Sequence, residues 1–345
     1  MATQQVRVQS VGETGAQDRT AGWRERLTSR LPAHRWRTRF APAPTGFLHM
    51  GHLVNAIHVW GIARAAGGLV VLRIEDHDGG RCRAEYEHAL LDDLDWLGFE
   101  PDEAPTASYR AAPVDHPGRQ SARSAVYADA LAELEARDLV YPCRCTRREI
   151  ERAAPHAPGM EPRYPGTCAN RAIDPDSTPA RRVRMTDGSE SFDDLRLGPL
   201  TADPSRQCGD VLVRDRAGYW SYQFAASVDD TLTRMDVIIR GEDLLPSTAR
   251  QIRLARLLGR PEPPLFLHHP LLVHADGRKL SKANRDTAIR DRRAAGASAA
   301  ALLGEAAWIA GLTAQPGDLD ARDVGLLFSA GRAVQASSTE STAAP

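Results

Sequence analysis

Two short clusters carry residue types suited to holding a polyphosphate. His49-Met50-Gly51-His52 falls between a short strand-like segment and a helical pattern. At a helix N-terminus, exposed N–H groups and the helix dipole attract anions, and glycine lets a nucleotide approach the backbone. Each imidazole can also donate a hydrogen bond to charge developing on phosphate. Lys279-Leu280-Ser281-Lys282 comes directly after Asp276-Gly277, a strong hairpin-turn signal. Two lysines on a short segment could neutralise a triphosphate while pyrophosphate is displaced. A third cluster, Cys143-Arg144-Cys145 with Tyr164 and Cys168 downstream, suits a tetrahedral zinc site that pins a segment lacking a core. Three cysteines leave the fourth ligand open between His156 and Tyr164. Any one cluster alone also fits a solvated loop, but the first two stand at opposite ends of one α/β pattern.

The elements that must position these residues follow from periodicity. Arg37 to Ala41 reads as a strand, and Pro42, Pro44 and Gly46 force a loop after it. Leu53, Ile57, Trp60 and Ala63 share one face of a helix that starts near Gly51 and ends at Gly67-Gly68. Leu69 to Ile74 is an apolar run suited to a strand covered on both faces. Tyr86, Leu90, Leu94 and Leu97 mark a second helix, with Gly98 at its C-cap. This alternation predicts a doubly wound parallel sheet. The pattern lapses from about Cys143 to Pro204, returns at Val211 to Val213 and at Asp236 to Arg240, and continues into a helix containing Ile252 and Leu257. A helical segment is expected around Ala300 to Leu312.

Composition sets the outer limits. A chain of 345 residues suffices for two domains, or for one large domain carrying an insertion. Lys plus Arg number 44 against 45 for Asp plus Glu, so binding to nucleic acid would need a local basic patch. The sequence has no apolar run long enough for a membrane span and no signal-peptide pattern before Pro32. Five cysteines, an odd number at uneven spacing, argue against a disulfide scaffold. A cytoplasmic protein, expected to be monomeric, fits these features, with Cys82 and Cys208 as buried thiols.

Arg39-Phe40-Ala41-Pro42-Ala43-Pro44-Thr45-Gly46, the His49 to His52 motif, Arg73-Ile74-Glu75-Asp76 and the Lys279 to Lys282 motif together resemble the catalytic part of class I glutamyl-tRNA synthetases. The resemblance runs from about Arg37 to Leu312. It implies a Rossmann-type domain that joins L-glutamate to ATP, with Mg²⁺ on the triphosphate, as an adenylate, and then passes the glutamyl group to RNA. In that scheme His49, Gly51, His52 and Lys282 bind ATP, and His49, His52, Lys279 and Lys282 serve the chemistry. Arg39, Phe40, Ala41, Pro42, Ala43, Glu75, Tyr222 and Arg240 form the glutamate site. Arg39 and Arg240 suit substrate carboxylates, because a guanidinium can bind them bidentately, and Glu75 suits the ammonium group. Ala43 departs from the family pattern, where serine is frequent, so a hydroxyl contact is lost there.

Tyr164-Pro165-Gly166-Thr167-Cys168 further resembles a short subgroup, the glutamyl-Q tRNA(Asp) synthetases. There, a tyrosine four residues before the last cysteine completes a structural zinc site, here Cys143, Cys145, Tyr164 and Cys168. About 60 residues follow Lys282, too few for the anticodon-gripping domains of the longer synthetases. Gly241 to Thr248 and Lys282-Ala283-Asn284 also look like the short subgroup. That resemblance implies activation of glutamate without tRNA and its attachment to queuosine in the anticodon of tRNA(Asp). Arg144, Arg147, Arg148, Arg152, Arg163 and Arg171 are candidate phosphate contacts. A truncated charging enzyme and a catalytically silent RNA-binding relative are the alternatives.

The expected organisation has six parts. Residues 1–35 form a disordered extension, and 36–112 the first half of the catalytic domain. Residues 113–208 form an insertion bearing the zinc site, and 209–275 the second half. Residues 276–330 hold the lysine loop and a helical segment, and 331–345 a disordered tail.

Overall fold

The computed structural model describes residues 6–9, 22–24, 27–154, 161–174, 178–274 and 287–329. Lys279, Ser281, Lys282, the Asp276-Gly277 turn, His156 and the last residues of the chain lie outside the described residues.

Strand β1 is Val6–Gln9, and β2 is Arg37–Phe40. After a proline-rich loop, helix α1 (Met50–Ala65) leads to β3 (Leu69–Leu72), which pairs with β2 in parallel, Arg37 opposite Leu69. Helix α2 (Ala84–Leu97) ends at Gly98, whose φ of 82° lies in the left-handed region that glycine adopts without strain. Helix α3 is Ser124–Ala136 and β4 is Val140–Cys143. Then follow β5 (Ala180–Val183), β6 (Glu190–Asp194), β7 (Gly198–Ala202) and β8 (Val211–Arg214). Helix α4 (Tyr222–Leu232), β9 (Val237–Gly241), helix α5 (Thr248–Leu257), β10 (Leu265–His269) and β11 (Leu271–His274) complete the second half. Helix α6 (Ala299–Ile309) and a 3₁₀ segment, Ala321–Phe328, come last.

Strands β9, β10 and β6 run parallel, with β7 antiparallel at the edge. Strand β2 lies beside β9, where the Asp236 amide donates to the Arg37 carbonyl at 3.0 Å. The two parallel pairs therefore abut, as in a doubly wound sheet. Between them α1 packs its buried face, Leu53, Ile57, Trp60 and Ile62, into the main core with Trp36, Phe40 and Phe99. Burying each such side chain contributes roughly 1.5–3 kcal/mol. Gly61 is a point of close approach: a Cβ there would stand 2.4 Å from the Phe328 ring, so the 3₁₀ segment can lie directly on α1.

Two parts of the fold depart from the sequence reading. Val211–Arg214 does not rejoin the parallel sheet; it pairs antiparallel with β5, which pairs antiparallel with β4. The apolar run fixed a strand but not its partner. Conversely, β6, inside the stretch read as an insertion, inserts beside β10. The expectation of a disordered extension over 1–35 also needs correcting. Trp23 packs against the core, Leu27 and Leu31 are buried in it, and β1 pairs antiparallel with β11. Trp23, Leu27 and Leu31 repeat at helical spacing, a signal too short to rise above its polar flanks.

Candidate active site

The C-terminal edges of β2, β3, β9 and β10 converge on the N-terminus of α1, where an open α/β sheet holds its ligands. They enclose a cavity of about 550 Å³. Its walls include Arg39, Ala41, Ala43, His49, Gly51, His52, Glu75, Tyr222 and Arg240, all expected from the sequence. Phe40 and Pro42, also expected, do not line it. Successive side chains alternate along an extended segment, so Phe40 turns into the core, 5.2 Å from Trp60, ring centroid to centroid.

The histidine pair builds the helix N-terminus itself. His49 is the N-cap of α1, and its Nδ1 accepts the Gly51 amide at 3.1 Å. His52 Nδ1 accepts the His49 amide at 3.2 Å, closing a reciprocal box. With both Nδ1 atoms accepting, a neutral ring carries its proton on Nε2, the atom that can donate to a phosphate oxygen.

The charged residues divide by partner. Arg39 Nε donates to Asp230 Oδ1 at 3.2 Å, and Arg73 Nη1 donates to the same oxygen at 2.6 Å. Arg73 Nη2 donates to Glu75 Oε1 at 2.8 Å. One carboxylate thus anchors two arginines, and through Arg73 it also fixes Glu75. Those guanidinium groups hold the buried Asp230 carboxyl down at about 2, against the opposing pull of burial. Asp229 lies under the same network, bound by Gln120, Arg123 and Tyr127.

Arg240 differs. It is 3% exposed, and its hydrogen-bond partners include His268 at 3.1 Å, Gln251 at 2.6 Å and Thr248 at 2.8 Å, with the neutral Tyr222 phenol beside them. None of these is a carboxylate. A buried guanidinium held by neutral groups, facing a cavity, is built to receive an anion. Tyr222, the first residue of α4, stands beside it, and burial pushes its phenol up from the usual tyrosine range.

Sequence reasoning missed Asp230, Asn55, Asp243, His268 and His269. The last two sit in a Leu-Phe-Leu-His-His strand whose apolar run gave the only warning. Burial lowers the imidazoles of His58, His268 and His269, the latter two to about 4. The unfolded chain therefore takes up protons that the folded chain refuses, so stability should fall as pH drops from about 6.5 toward 4. His268 and His269 should each cost on the order of 3 kcal/mol across that window. Asp93, pushed up to about 6 by burial, opposes them with a single proton. Urea midpoints at pH 7 and pH 5 check this; equal midpoints would contradict the three buried neutral imidazoles.

A second cluster lies in the insertion. Cys143, Cys145 and Cys168 bring their Sγ atoms within 4.8 Å of one another and could hold a metal ion. The Tyr164 hydroxyl is 3.4 Å from Cys143 Sγ and 3.8 Å from Cys145 Sγ, and it accepts the Cys168 amide at 3.0 Å. Arg182 donates to Cys143 Sγ at 3.3 Å and covers the Tyr164 ring at 3.8 Å. Three thiolates and a phenolate around a dication would leave net negative charge, which this guanidinium offsets, so the donor set fits zinc. Of the other two thiols, Cys208 is buried as expected, but Cys82 is only half-buried.

A histidine-bearing helix N-terminus, set against an arginine-lined cavity at the C-terminal edge of a parallel sheet, fits the catalytic domain of a class I aminoacyl-tRNA synthetase. The family model for class I tRNA synthetases (E and Q), catalytic domain, matches residues 35–306, and the chain belongs to that family of ATP-using ligases. It is similar to the glutamyl-Q tRNA(Asp) synthetase of Nitratidesulfovibrio vulgaris, 41% identical over 80% of this chain and 86% of that one. The enzyme of the same name from Cupriavidus metallidurans is 43% identical over 72% and 78%. Among solved structures, a glutamate-tRNA synthetase from Elizabethkingia anophelis matches with a TM-score of 0.61 at 27% identity, over 76% of this chain. The match takes in 54% of that longer synthetase. A glutamate tRNA ligase from Elizabethkingia meningosepticum shares the fold, with a TM-score of 0.67 over 85% of this chain and 64% of that one, at 24% identity.

Proposed function

We propose that this chain activates L-glutamate with ATP without tRNA, then transfers the glutamyl group to queuosine at the anticodon wobble position of tRNA(Asp). The observation that carries the glutamate reading is Arg240, a buried cation with only neutral hydrogen-bond partners. The relatives' names supply the acceptor.

The α-carboxylate of glutamate attacks the α-phosphorus of ATP and pyrophosphate leaves, so no protein nucleophile is needed. The protein's task is positioning and charge stabilisation. His49 and His52 donate from Nε2 to the phosphates over the α1 N-terminus, and Lys279 and Lys282 supply further positive charge. Arg240 takes one substrate carboxylate and Arg39 lies near the other, while Glu75 and Tyr222 receive the ammonium end. Mg²⁺ accompanies the triphosphate. A hydroxyl of the queuosine cyclopentene ring then attacks the adenylate carbonyl, and AMP leaves. Arg144, Arg147, Arg148, Arg152, Arg163 and Arg171 are all exposed, as phosphate contacts to an anticodon stem-loop must be.

Cys143, Cys145, Tyr164 and Cys168 would hold zinc, which would supply a structural cross-link to a segment with a small buried cluster, Tyr141, Cys143, Tyr164, Cys168 and Ala180 among the described residues. Cys145→Ser is expected to lower bound zinc from about one equivalent to well below half. Metal analysis of the purified chain checks it, and an unchanged content would remove Cys145 from the ligand set.

The deciding experiment is ATP-dependent transfer of labelled glutamate to purified tRNA(Asp) with and without queuosine. Label confined to the modified tRNA, and surviving removal of its 3′ end, is the expected result. Label lost with the 3′ end would identify a charging enzyme, and no label at all would point to a silent relative.

A further inference from the structure

We propose that His268 is a positioning residue that aims the Arg240 guanidinium at the substrate carboxylate without neutralising it, its tautomer set by Asp194. The inference rests on the reading of Arg240 as a glutamate contact.

The three residues stand side by side across the sheet. Asp194 ends β6, His268 lies on the neighbouring β10, and Arg240 faces His268 in the β9 register. Asp194 and His268 are both 0% exposed. Asp194 Oδ1 accepts the amides of Arg196 at 2.9 Å and Leu197 at 2.8 Å. Its Oδ2 accepts the His268 amide at 3.0 Å and lies 2.7 Å from His268 Nδ1. With backbone N–H groups donating to both of its oxygens, Asp194 acts as the acceptor in this contact, so Nδ1 carries the imidazole proton and Nε2 is left with a lone pair. Arg240 Nε donates into that lone pair at 3.1 Å, and the Thr248 hydroxyl, which also accepts from Arg240, lies 3.1 Å from the same nitrogen.

Thr248 and Gln251 hold the two outer nitrogens of the same guanidinium, one acceptor each. Three of its five N–H groups are thereby committed, and the plane can no longer rotate. The rest of the guanidinium faces the cavity that Arg240 lines with Tyr222, whose phenol also hydrogen-bonds it. The neutrality of the orienting group is the point of the arrangement. An aspartate or glutamate in place of His268 would fix Arg240 equally well but would satisfy its charge, as Asp230 does for Arg39. A protonated imidazole would set N–H against N–H. Burial, which keeps this imidazole neutral down to about 4, agrees with the geometry.

The test is ATP–pyrophosphate exchange by the full chain, with KM measured separately for glutamate and ATP. His268→Leu removes the acceptor, and Asp194→Asn exchanges an acceptor for a donor at Nδ1, moving the imidazole proton to Nε2 against Arg240. Both should raise KM for glutamate roughly tenfold or more while KM for ATP stays within about twofold. His268→Gln, whose Oε1 can accept from Arg240, should recover most of the loss. KM values for both substrates that rise together, or a glutamate KM unchanged in Asp194→Asn, would overturn the proposal. If His268→Leu fails to fold, Asp194→Asn and His268→Gln decide the question without it. Arg240→Lys, run in parallel, separates the two readings: loss there with none in Asp194→Asn defeats only the positioning role. Unchanged glutamate KM in Arg240→Lys would defeat the underlying assignment.

Discussion

Arg240→Ala should cut kcat/KM for glutamate in pyrophosphate exchange by roughly thirty- to several-thousandfold, since truncating one partner of a buried charged pair costs about 2–5 kcal/mol. The native side chain is 3% exposed and bonded to His268, Gln251 and Thr248, so its removal strands three neutral groups and no carboxylate. Stability should therefore change far less than activity. A thermal melt beside the exchange assay separates these effects: a large fall in melting temperature with intact exchange would make Arg240 a structural residue. Binding of ATP, which involves the other wall of the cavity, should survive.

Asp230→Asn should show the opposite balance, with a large loss of stability as well as of activity. Its carboxylate holds Arg39 and Arg73 together, and both guanidinium groups are buried. The amide keeps the volume but withdraws the charge, leaving two buried cations to share Glu75 and the more distant Asp229, 3.9 Å from Arg73. Breaking such a pair costs about 3–5 kcal/mol, or roughly four to seven degrees in melting temperature for a chain of this size. Adding Arg39→Met should restore part of that loss, because it removes one of the stranded charges. A double variant no more stable than Asp230→Asn would contradict the role of Asp230 as a shared anchor. Because the native carboxyl is held at about 2, its contribution should persist from neutral pH down through about pH 4, and fade only below that.

The histidine motif was legible because it combines a local rule with a local chemistry. The helix is written in the spacing of Leu53, Ile57 and Trp60, and the two imidazoles and glycine stand just where it begins. The cysteine spacing was legible for the same reason, although only the folded insertion brings the Tyr164 hydroxyl to the thiols. Arg39, Glu75, Tyr222 and Arg240 were found through resemblance rather than periodicity, and the cavity places all four on its wall. Phe40 and Pro42 entered with them only because a motif names neighbours together, whereas an extended chain turns them to opposite sides.

By itself the sequence marked β2, β3 and β9 and the helices α1, α2 and α5, together with the histidine motif at the start of α1, but it marked neither β6 nor β10 as members of the parallel sheet. Apolar periodicity and turn chemistry act within a few residues, so they can be read in one dimension. What only the tertiary structure decided is which strands become neighbours and which charges are thereby shared. Strand β6 reaches the parallel sheet from within the insertion, and β8 leaves it for the antiparallel one. Asp230 joins Arg39 to Arg73 across gaps of 191 and 157 residues, and Asp194 reaches His268 across 74. The value of a buried charge depends on the partner that burial forces upon it, and that partner is fixed only when the strands meet.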